Sequence, residues 1–428
     1  MKHYLDQNVY ESANERIAYL FEEFEKVMVA FSGGKDSGVM LNLCYEYAKK
    51  NNLMHKLAFY HLDYEAQYQM TTDYVAETFE RLNDVESYWL CLPLRAQCAV
   101  NSIEAGWIPW DREKKEIWVR DMPDHPSVIN AKNCLFPFEK GEWDYDVQDH
   151  FCDWYAAKQK TAICIGIRTT ESLNRYRAIK GSHKVNVYDD KSWIVDDTYC
   201  KAYPVYDWET RDIWIANGKF KWPYNRVYDL YYQAGLTIDQ MRVASPFHDS
   251  GIGTLKLYKV IDPDNWARMV GRVKGVNFAG IYGGTTAMGW KSIKLPEGHT
   301  WKSYLEFLIA TLPSEARQNY MDKFETSVTF WREKGGVLSD ETIQELKEIG
   351  LNPRVGKQTN YKTTKKPVTF DDYPDDADVK DFKLVPSYKR MAICIMKNDH
   401  LCKYMGFGQT KADTERRAKA IEKYSELL

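Results

Sequence analysis

The sequence predicts an α/β protein built on a doubly wound parallel sheet. Three observations support this class. The apolar run at residues 27–31 is typical of a buried strand, and it leads through a Ser-Gly-Gly turn into a helix. Strand and helix patterns then alternate up to residue 92, and another apolar run at 161–167 restarts the alternation. Because parallel strands need crossover connections, this order predicts helices on both faces of one sheet.

Each element follows from its own pattern. Apolar residues at helical spacing, or short apolar runs bounded by polar residues, define the segments. The predicted helices cover residues 8–26, 36–50, 67–81, 209–216 and 224–234. The predicted strands cover residues 27–31, 56–63, 87–92, 161–167 and 200–206. We therefore expect a first domain over residues 1–236.

The rest of the chain follows a different pattern. Residues 93–157 are rich in Trp, Pro and acidic residues, and we expect a long aromatic-rich insertion over one end of the sheet. Residues 237–354 are expected to form a mostly helical domain. Residues 355–381 are polar, with lysines before aspartates, which is typical of a linker.

The last segment, residues 382–428, is expected to form a small ββα unit, with strands at 391–396 and 402–407 and a helix from Asp413. It holds ten Lys/Arg and five Asp/Glu, so it carries an excess of five positive charges. This excess is compatible with nucleic-acid binding, although so modest an excess favours a solvated amphipathic helix.

Composition excludes several classes of protein. A net charge of −3 argues against a chain-wide polyanion binder. The nine cysteines form no C-x-x-C pair, and neither a secretory signal nor a membrane-length apolar run is present. We therefore expect a cytoplasmic protein with free thiols, without zinc or an iron–sulfur cluster, and without membrane contact.

A six-residue turn joins the first strand to its helix: Ser32, Gly33, Gly34, Lys35, Asp36 and Ser37. The glycines permit dihedrals that direct several N–H groups into one concavity, and no Cβ blocks a phosphate there. The helix dipole, two hydroxyls and one ammonium favour an anion at the same point. The spacings of a Walker A loop and of a dinucleotide fingerprint are absent. A chance strand–turn–helix would not supply all six residues, so we expect a phosphate-binding loop.

This turn resembles the PP-loop of the adenine nucleotide α-hydrolase superfamily. The resemblance implies that the loop holds phosphates of ATP or a related adenine nucleotide, with Mg²⁺, and that reaction occurs at the α-phosphate. Residues 59–63, which end in Asp63, resemble the second strand of the PAPS reductase branch. Residues 166–175 resemble the G-x-R-x-x-E-S-x-x-R segment of that branch.

The resemblance implies a set of site residues. Nucleotide binding is expected from the six loop residues together with Asp63, Gly166 and Arg168. Catalytic roles are expected for Lys35, Asp36, Arg168 and Arg175, and Mg²⁺ ligation for Asp36 and Asp63. The two arginines could hold phosphate or sulfate bidentately. Second-rank candidates are Glu171, His299 and Lys302, and His299 could equally be a polar residue at a helix start without a ligand.

The PAPS reductase pattern is incomplete. The chain lacks the C-terminal Glu-Cys-Gly-x-His motif that carries the nucleophilic cysteine of that branch, which argues against PAPS reduction. Residues 117–123, 241–247 and 296–304 resemble the IbrA-type proteins, which couple a PAPS reductase-like domain to a DUF3440-type domain. That resemblance implies a ParB-like partner and a regulatory, DNA-associated or modification role. The sequence is compatible with a homo-oligomer.

Three functions remain open at this stage. The first is an enzyme that acts at the α-phosphate of ATP, by adenylyl transfer or pyrophosphate release. The second is a nucleotide-dependent, DNA-associated regulator with little catalysis, supported by the basic segment at 382–428. The third is a sulfur-transfer or sulfonucleotide reductase-like enzyme, which needs a reactive thiol.

Overall fold

A computed structural model describes residues 6–101, 104, 106–180, 187–282, 295–357 and 365–407. The chain divides into two compact units. The first unit comprises Met1–Gln97 and Gly106–Lys274, and the second comprises Cys98–Ala105 and Gly275–Leu428. The first unit thus continues past residue 236, where the sequence suggested a domain boundary.

The first unit contains a seven-stranded sheet with helices around it. The strands are β1 (Lys26–Ala30), β2 (Leu57–Leu62), β3 (Glu86–Cys91), β4 (Ala96–Gln97), β5 (Gly106–Trp107), β6 (Val128–Asn130), β7 (Thr161–Ile165), β8 (Ile194–Asp196) and β9 (Cys200–Ala202). The helices are α1 (Val9–Glu23), α2 (Lys35–Lys50), α3 (Gln69–Arg81), α4 (Asp144–Ala156), α5 (Leu173–Lys180), α6 (Thr210–Phe220), α7 (Val227–Gln233), α8 (Ile252–Leu255), α9 (Tyr258–Ile261) and α10 (Pro263–Arg272).

The main sheet has the order β6-β3-β2-β1-β7-β9-β8, and only the β8–β9 pair is antiparallel. This arrangement confirms the predicted α/β class with a mostly parallel sheet. The chain moves outward from β1 through β2 and β3 on one side and then returns to β7 on the other. The strand order therefore reverses between β1 and β7, which is where open α/β sheets bind their ligands.

The central strands are buried because their apolar side chains face helices on both sides. Val27, Met28 and Val29 of β1 have no solvent exposure, and β2 is buried along its whole length. The aromatic-rich insertion contributes the edge strand β6 and the separate β4–β5 hairpin. It therefore extends the sheet as well as covering part of it.

The second unit combines helices with a three-stranded antiparallel sheet. Its elements are α11 (Val276–Tyr282), α12 (Trp301–Thr311), α13 (Ser314–Glu333), β10 (Gly336–Leu338), α14 (Asp340–Glu348), β11 (Arg354–Val355), β12 (Lys366–Thr369) and α15 (Tyr388–Met396). The sheet order is β10-β12-β11. Its central strand β12 lies inside the segment that the sequence suggested was a linker. No described helix is both long enough and apolar enough to cross a membrane.

The predicted ββα unit needs correction. Residues 391–396 belong to helix α15, so the strand prediction there is wrong. The side chain of Ser387 caps this helix, and nearly all of the apolar run is buried, so its periodicity could not separate strand from helix. A 3₁₀ turn at Lys403–Met405 replaces the second strand, between positive φ angles at Cys402 and Gly406. The predicted helix from residue 413 lies outside the described residues.

Candidate phosphate-binding site

The six-residue loop lies at the carboxyl end of β1, at the point where the strand order reverses. Gly33 adopts a left-handed φ of +73°, and a Cβ there would lie 2.9 Å from Val75 Cγ2. Gly34 precedes α2 in an extended conformation and provides no side-chain cap. The first-turn amides of an α-helix have no partners within the helix. The start of α2 therefore presents amides and a positive dipole end at the switch point.

Two residues of a later segment hold this loop in shape. Asn225 is fully buried, and its Nδ2 donates to Gly33 O at 3.0 Å and to Thr71 Oγ1 at 2.8 Å. The hydroxyl of Tyr228 accepts a hydrogen bond from Lys35 N at 3.0 Å. Burial raises the pKa of Tyr228 well above its ordinary value, so the phenol stays neutral. The loop conformation thus depends on residues nearly two hundred positions away.

The two loop hydroxyls lie together. Ser32 Oγ and Ser37 Oγ are 2.9 Å apart, and Ser37 Oγ is also 3.1 Å from Ser32 N and from Gly34 O. Ser32 is exposed, whereas the other loop residues are buried or half-buried. The hydroxyl of Ser32 is therefore the loop side chain most accessible to a ligand.

The carboxylate of Asp36 lies between the two cations of the site. Arg168 Nε donates to Asp36 Oδ1 at 2.6 Å, and Lys35 Nζ is 3.2 Å from Asp36 Oδ2. Lys35 Nζ also donates to Met241 O at 3.1 Å. Both cationic side chains are nearly inaccessible to solvent, and both are paired with Asp36.

Gly166 brings β7 against the loop. A Cβ on this glycine would lie 3.0 Å from Asp36 O and 3.1 Å from Ser37 Cα. These are backbone atoms, which cannot rotate out of the way as a flexible side chain can. Only glycine permits this approach without a shift of the chain. The end of β7 and the start of α2 are therefore packed backbone to backbone, and Arg168 lies two residues further on.

The remaining candidates from the same motif form a separate pair. Arg175 makes an ion pair with Glu171 one helical turn earlier. The backbone oxygen of Glu171 accepts a hydrogen bond from Arg242 Nη2 at 2.7 Å. Arg242 and Met241 come from one short segment after α7, so that segment contacts both parts of the site.

Asp63 follows β2 and is fully buried in a network of donors. Arg120 contacts both of its carboxylate oxygens, Trp89 Nε1 donates at 2.7 Å, and Glu65 N donates at 2.9 Å. Burial alone would raise the pKa of Asp63, but Arg120 and His61 outweigh it and the pKa is lowered. Asp63 thus carries a charge that is already compensated within the protein.

A second buried ion pair lies beside Asp63. Glu65 is fully buried with a left-handed φ of 64°, and it accepts hydrogen bonds from Trp110 N, Val119 N and Arg272 Nε at 2.7, 2.9 and 2.8 Å. Arg272 Nη2 also donates to Ile108 O at 2.6 Å. This pair joins the end of β2 to the aromatic-rich insertion and to α10.

Two family models match this chain. The phosphoadenosine phosphosulfate reductase domain matches residues 26–106, and the domain of unknown function DUF3440 matches residues 235–416. The protein YbdN of Escherichia coli (strain K12) is 31% identical over 420 residues, which cover 96% of this chain and 94% of YbdN. The chain belongs to the YbdN family. The predicted combination of a PAPS reductase-like domain with a DUF3440-type domain is confirmed.

Solved structures similar to this YbdN relative have low sequence identity. PAPS reductase from Candida auris is 12% identical, with 54% of this chain and 87% of that one covered and a TM-score of 0.30. The U34-tRNA thiolase NcsA from Methanococcus maripaludis is 12% identical, with coverages of 64% and 82% and a TM-score of 0.30. The NH₃-dependent NAD synthetase from Campylobacter jejuni is 12% identical, with coverages of 68% and 100% and a TM-score of 0.28.

The carboxylates that were expected to bind Mg²⁺ have other partners in this YbdN-family chain. Asp36 is paired with Arg168 and Lys35, and Asp63 with Arg120. Among the described residues, no three His, Cys, Asp or Glu side chains are grouped as a metal site. These residues therefore do not fit a protein-built magnesium site, and Mg²⁺ at this loop would have to be carried by the phosphates of the nucleotide itself.

The nine cysteines are free, and eight are buried. Burial raises the pKa of Cys98 and of Cys152 to about 12, and it also raises the pKa of the half-buried Cys134. A catalytic cysteine needs the opposite, a pKa lowered by nearby cations and access to the substrate. Cys98 and Cys152 meet neither requirement.

His299 and Lys302 belong to the second unit, at the start of α12. His299 Nδ1 is 3.1 Å from Ser303 Oγ, and Lys302 N donates to Asp375 Oδ1 at 2.8 Å. Both side chains are exposed. Their contacts organise a helix start, in which Thr300 is the N-cap residue.

No site role was predicted from the sequence for four residues that shape the site, although two of them lie in the IbrA-like segment at 241–247. Asn225, Tyr228, Met241 and Arg242 all lie within or after the Pro-Tyr-Asn stretch at residues 223–225. The signal available in the sequence was that stretch itself, which a packing role also explains. Only the tertiary structure brings it against the loop.

Proposed function

We propose that this protein binds ATP or a related adenine nucleotide with its phosphates at residues 32–37, and that it acts at the α-phosphate. The observation that carries the proposal is the position of an uncapped helix start, with a left-handed glycine before it, at the switch point of a parallel sheet. The match of residues 26–106 to the PAPS reductase domain supports the same ligand class.

The residues of the site have different roles in this reaction. The amides of Asp36 and Ser37, in the first turn of α2, and the hydroxyls of Ser32 and Ser37 bind phosphate oxygens, while the amide of Lys35 donates to Tyr228. Lys35 and Arg168 supply positive charge where pyrophosphate leaves, which lowers the energy of the transition state more than that of the bound nucleotide. Gly166 and Asn225 hold in place the two segments that carry these groups, the end of β7 and the loop before α2. Mg²⁺, when carried by the nucleotide, adds charge neutralisation.

Adenylyl transfer or pyrophosphate release is favoured over sulfonucleotide reduction. Reduction requires a thiolate that attacks the substrate, whereas eight of the nine thiols are buried and burial raises the pKa of Cys98 and of Cys152. Transfer at the α-phosphate requires only phosphate binding and charge stabilisation, which the loop residues can provide.

The test uses ATP labelled at the α- or γ-phosphate, incubated with the full chain and Mg²⁺. We expect labelled AMP from the first and labelled pyrophosphate from the second. Release of inorganic phosphate from the γ-label, with ADP as the other product, would contradict action at the α-phosphate. Loss of both products in Arg168→Gln, with ATP binding retained, would support the catalytic role of this arginine.

A further inference from the structure

We propose that Asp36 is an internal substitute for phosphate, which holds Lys35 and Arg168 until an incoming anion displaces it. This inference rests on the proposed nucleotide site and adds how access to that site is controlled. It assigns Asp36 a role opposite to metal ligation, since the carboxylate competes with the nucleotide instead of helping to bind it.

The geometry of Asp36 is that of a bridging anion. Its two oxygens are divided between the cations, with Oδ1 2.6 Å from Arg168 Nε and Oδ2 3.2 Å from Lys35 Nζ. The side chains of Arg168 and Lys35 are only 2% and 4% exposed. Buried cations require a compensating anion, and guanidinium binds carboxylate and phosphate through the same donors. Asp36 therefore satisfies the requirement that a phosphate would otherwise satisfy.

Its position in the helix supports the same role. Asp36 is the second residue of α2, within the uncapped first turn, where the helix dipole favours negative charge. Its side chain is 14% exposed, more than either cation. An anion that approaches the two cations therefore meets the negative charge of this carboxylate, and the like charges repel until a cation is released.

Lys35 is suited to be the cation that moves. It also donates to Met241 O at 3.1 Å, so its ammonium keeps a partner when it leaves Asp36. Arg168 Nη1 also donates to Thr170 Oγ1 at 3.2 Å. The exchange thus replaces one carboxylate contact with a phosphate contact and leaves both cations compensated.

Titration calorimetry with inorganic pyrophosphate, in EDTA to remove divalent cations, tests this inference. We expect Asp36→Asn to bind pyrophosphate about tenfold more tightly than the wild type, because a competing and repelling charge is lost. The matched control is Asp207→Asn, which removes the carboxylate of the Arg16–Asp207 pair in the same unit and should leave the affinity unchanged. Equal or weaker binding by Asp36→Asn would overturn the inference.

A second measurement uses only the wild type, in case Asp36→Asn does not fold. In crystals soaked with pyrophosphate, we expect Lys35 Nζ or Arg168 Nε to bond a phosphate oxygen instead of Asp36. Pyrophosphate bound at the loop while Asp36 keeps its contacts with both Lys35 and Arg168 would contradict the inference. If the wild type binds ATP but Asp36→Asn gains nothing, the proposed function stands and this inference fails. If neither protein binds either ligand, both fail.

Discussion

Gly166 shows how one missing side chain can define this site. A Cβ there would lie 3.0–3.1 Å from backbone atoms of Asp36 and Ser37, so the two backbone segments approach as closely as they can. The sequence indicated Gly166 through its motif, but it gave no reason for the glycine. Close packing between β7 and the start of α2 supplies a reason in the structure itself.

Gly166→Ala should therefore destabilise the protein by about 1–3 kcal/mol, the usual cost of overpacking, and weaken ATP binding through displacement of the loop. Urea unfolding and titration calorimetry measure the two effects. Gly218→Ala is the matched control, because it lies within α6 with no atom within 4 Å of the new Cβ. It should be neutral or stabilise by up to about 1 kcal/mol, as alanine does in a helix. Equal effects of the two substitutions would contradict the close-packing account.

His61, which lies beside the loop, should make the stability of the protein depend on pH. It is buried next to the loop with Nδ1 2.8 Å from Phe31 O, and burial lowers its pKa from the ordinary 6.5. In the unfolded chain His61 therefore binds a proton near pH 6.5, whereas in the native protein it binds one only at lower pH. The contribution of His61 to the free energy of unfolding is therefore fully present above pH 6.5. It is lost as the pH falls through the lowered pKa of His61 in the folded protein.

We expect the free energy of unfolding to fall as the pH is lowered below about 6.5, by at most about 1.4 kcal/mol per pH unit from this one group. His61→Asn should reduce that slope, whereas His55→Asn, an exposed site, should not. Denaturant titrations at pH values between 5.5 and 7.5 give the slopes. An unchanged slope in His61→Asn would show that other groups cause the dependence.

At the scale of elements, the sequence specified the strands and helices of the sheet but not what joins them. The apolar runs of β1 and β7 are buried except at their ends and therefore continuous, so they could be predicted. The run at 391–396 is just as apolar, yet its capped start makes it a helix. The buried pair between Glu65 and Arg272 joins residues far apart in the chain, and no local pattern indicates it.

Arg272→Ala should destabilise the protein by about 3–5 kcal/mol, because Glu65 would remain charged and buried without its cation. Arg268→Ala is the control on the same helix. Arg268 is exposed and its Nη1 donates to Val119 O at 3.1 Å, so a loss of about 1 kcal/mol or less is expected. Urea unfolding of both variants makes the comparison. Similar losses would mean that the buried pair is not what holds α10.

At the scale of the whole molecule, the DUF3440 match does not coincide with one structural unit. It begins at residue 235, but residues up to Lys274 belong to the first unit, where Met241 and Arg242 contact the phosphate-loop site. A boundary at residue 236 was the natural expectation from the sequence, since the helical pattern changes there. The contacts that extend the unit are tertiary, so sequence periodicity could not indicate them.

The central claim is that the loop at residues 32–37 binds the phosphates of an adenine nucleotide, and Gly34→Asp tests it most directly. Gly34 is the N-cap of α2 with φ −87° and ψ 164°, a conformation that aspartate adopts readily, and aspartate is a strong N-cap residue. A Cβ there would lie 3.3 Å from Ser32 Oγ, so this serine side chain has to shift slightly, and the new capping bond offsets that cost. The variant should therefore fold with stability close to that of the wild type while its charge occupies the anion site. Gly34→Asn supplies the same cap without the charge.

The measurement is titration calorimetry of ATP with Mg²⁺ into the wild type and both variants, with melting temperatures to verify folding. We predict one ATP site in the wild type, weaker binding in Gly34→Asn, and no detectable binding in a fully folded Gly34→Asp. Binding of ATP to folded Gly34→Asp with wild-type affinity would show that the nucleotide lies elsewhere and would contradict the account.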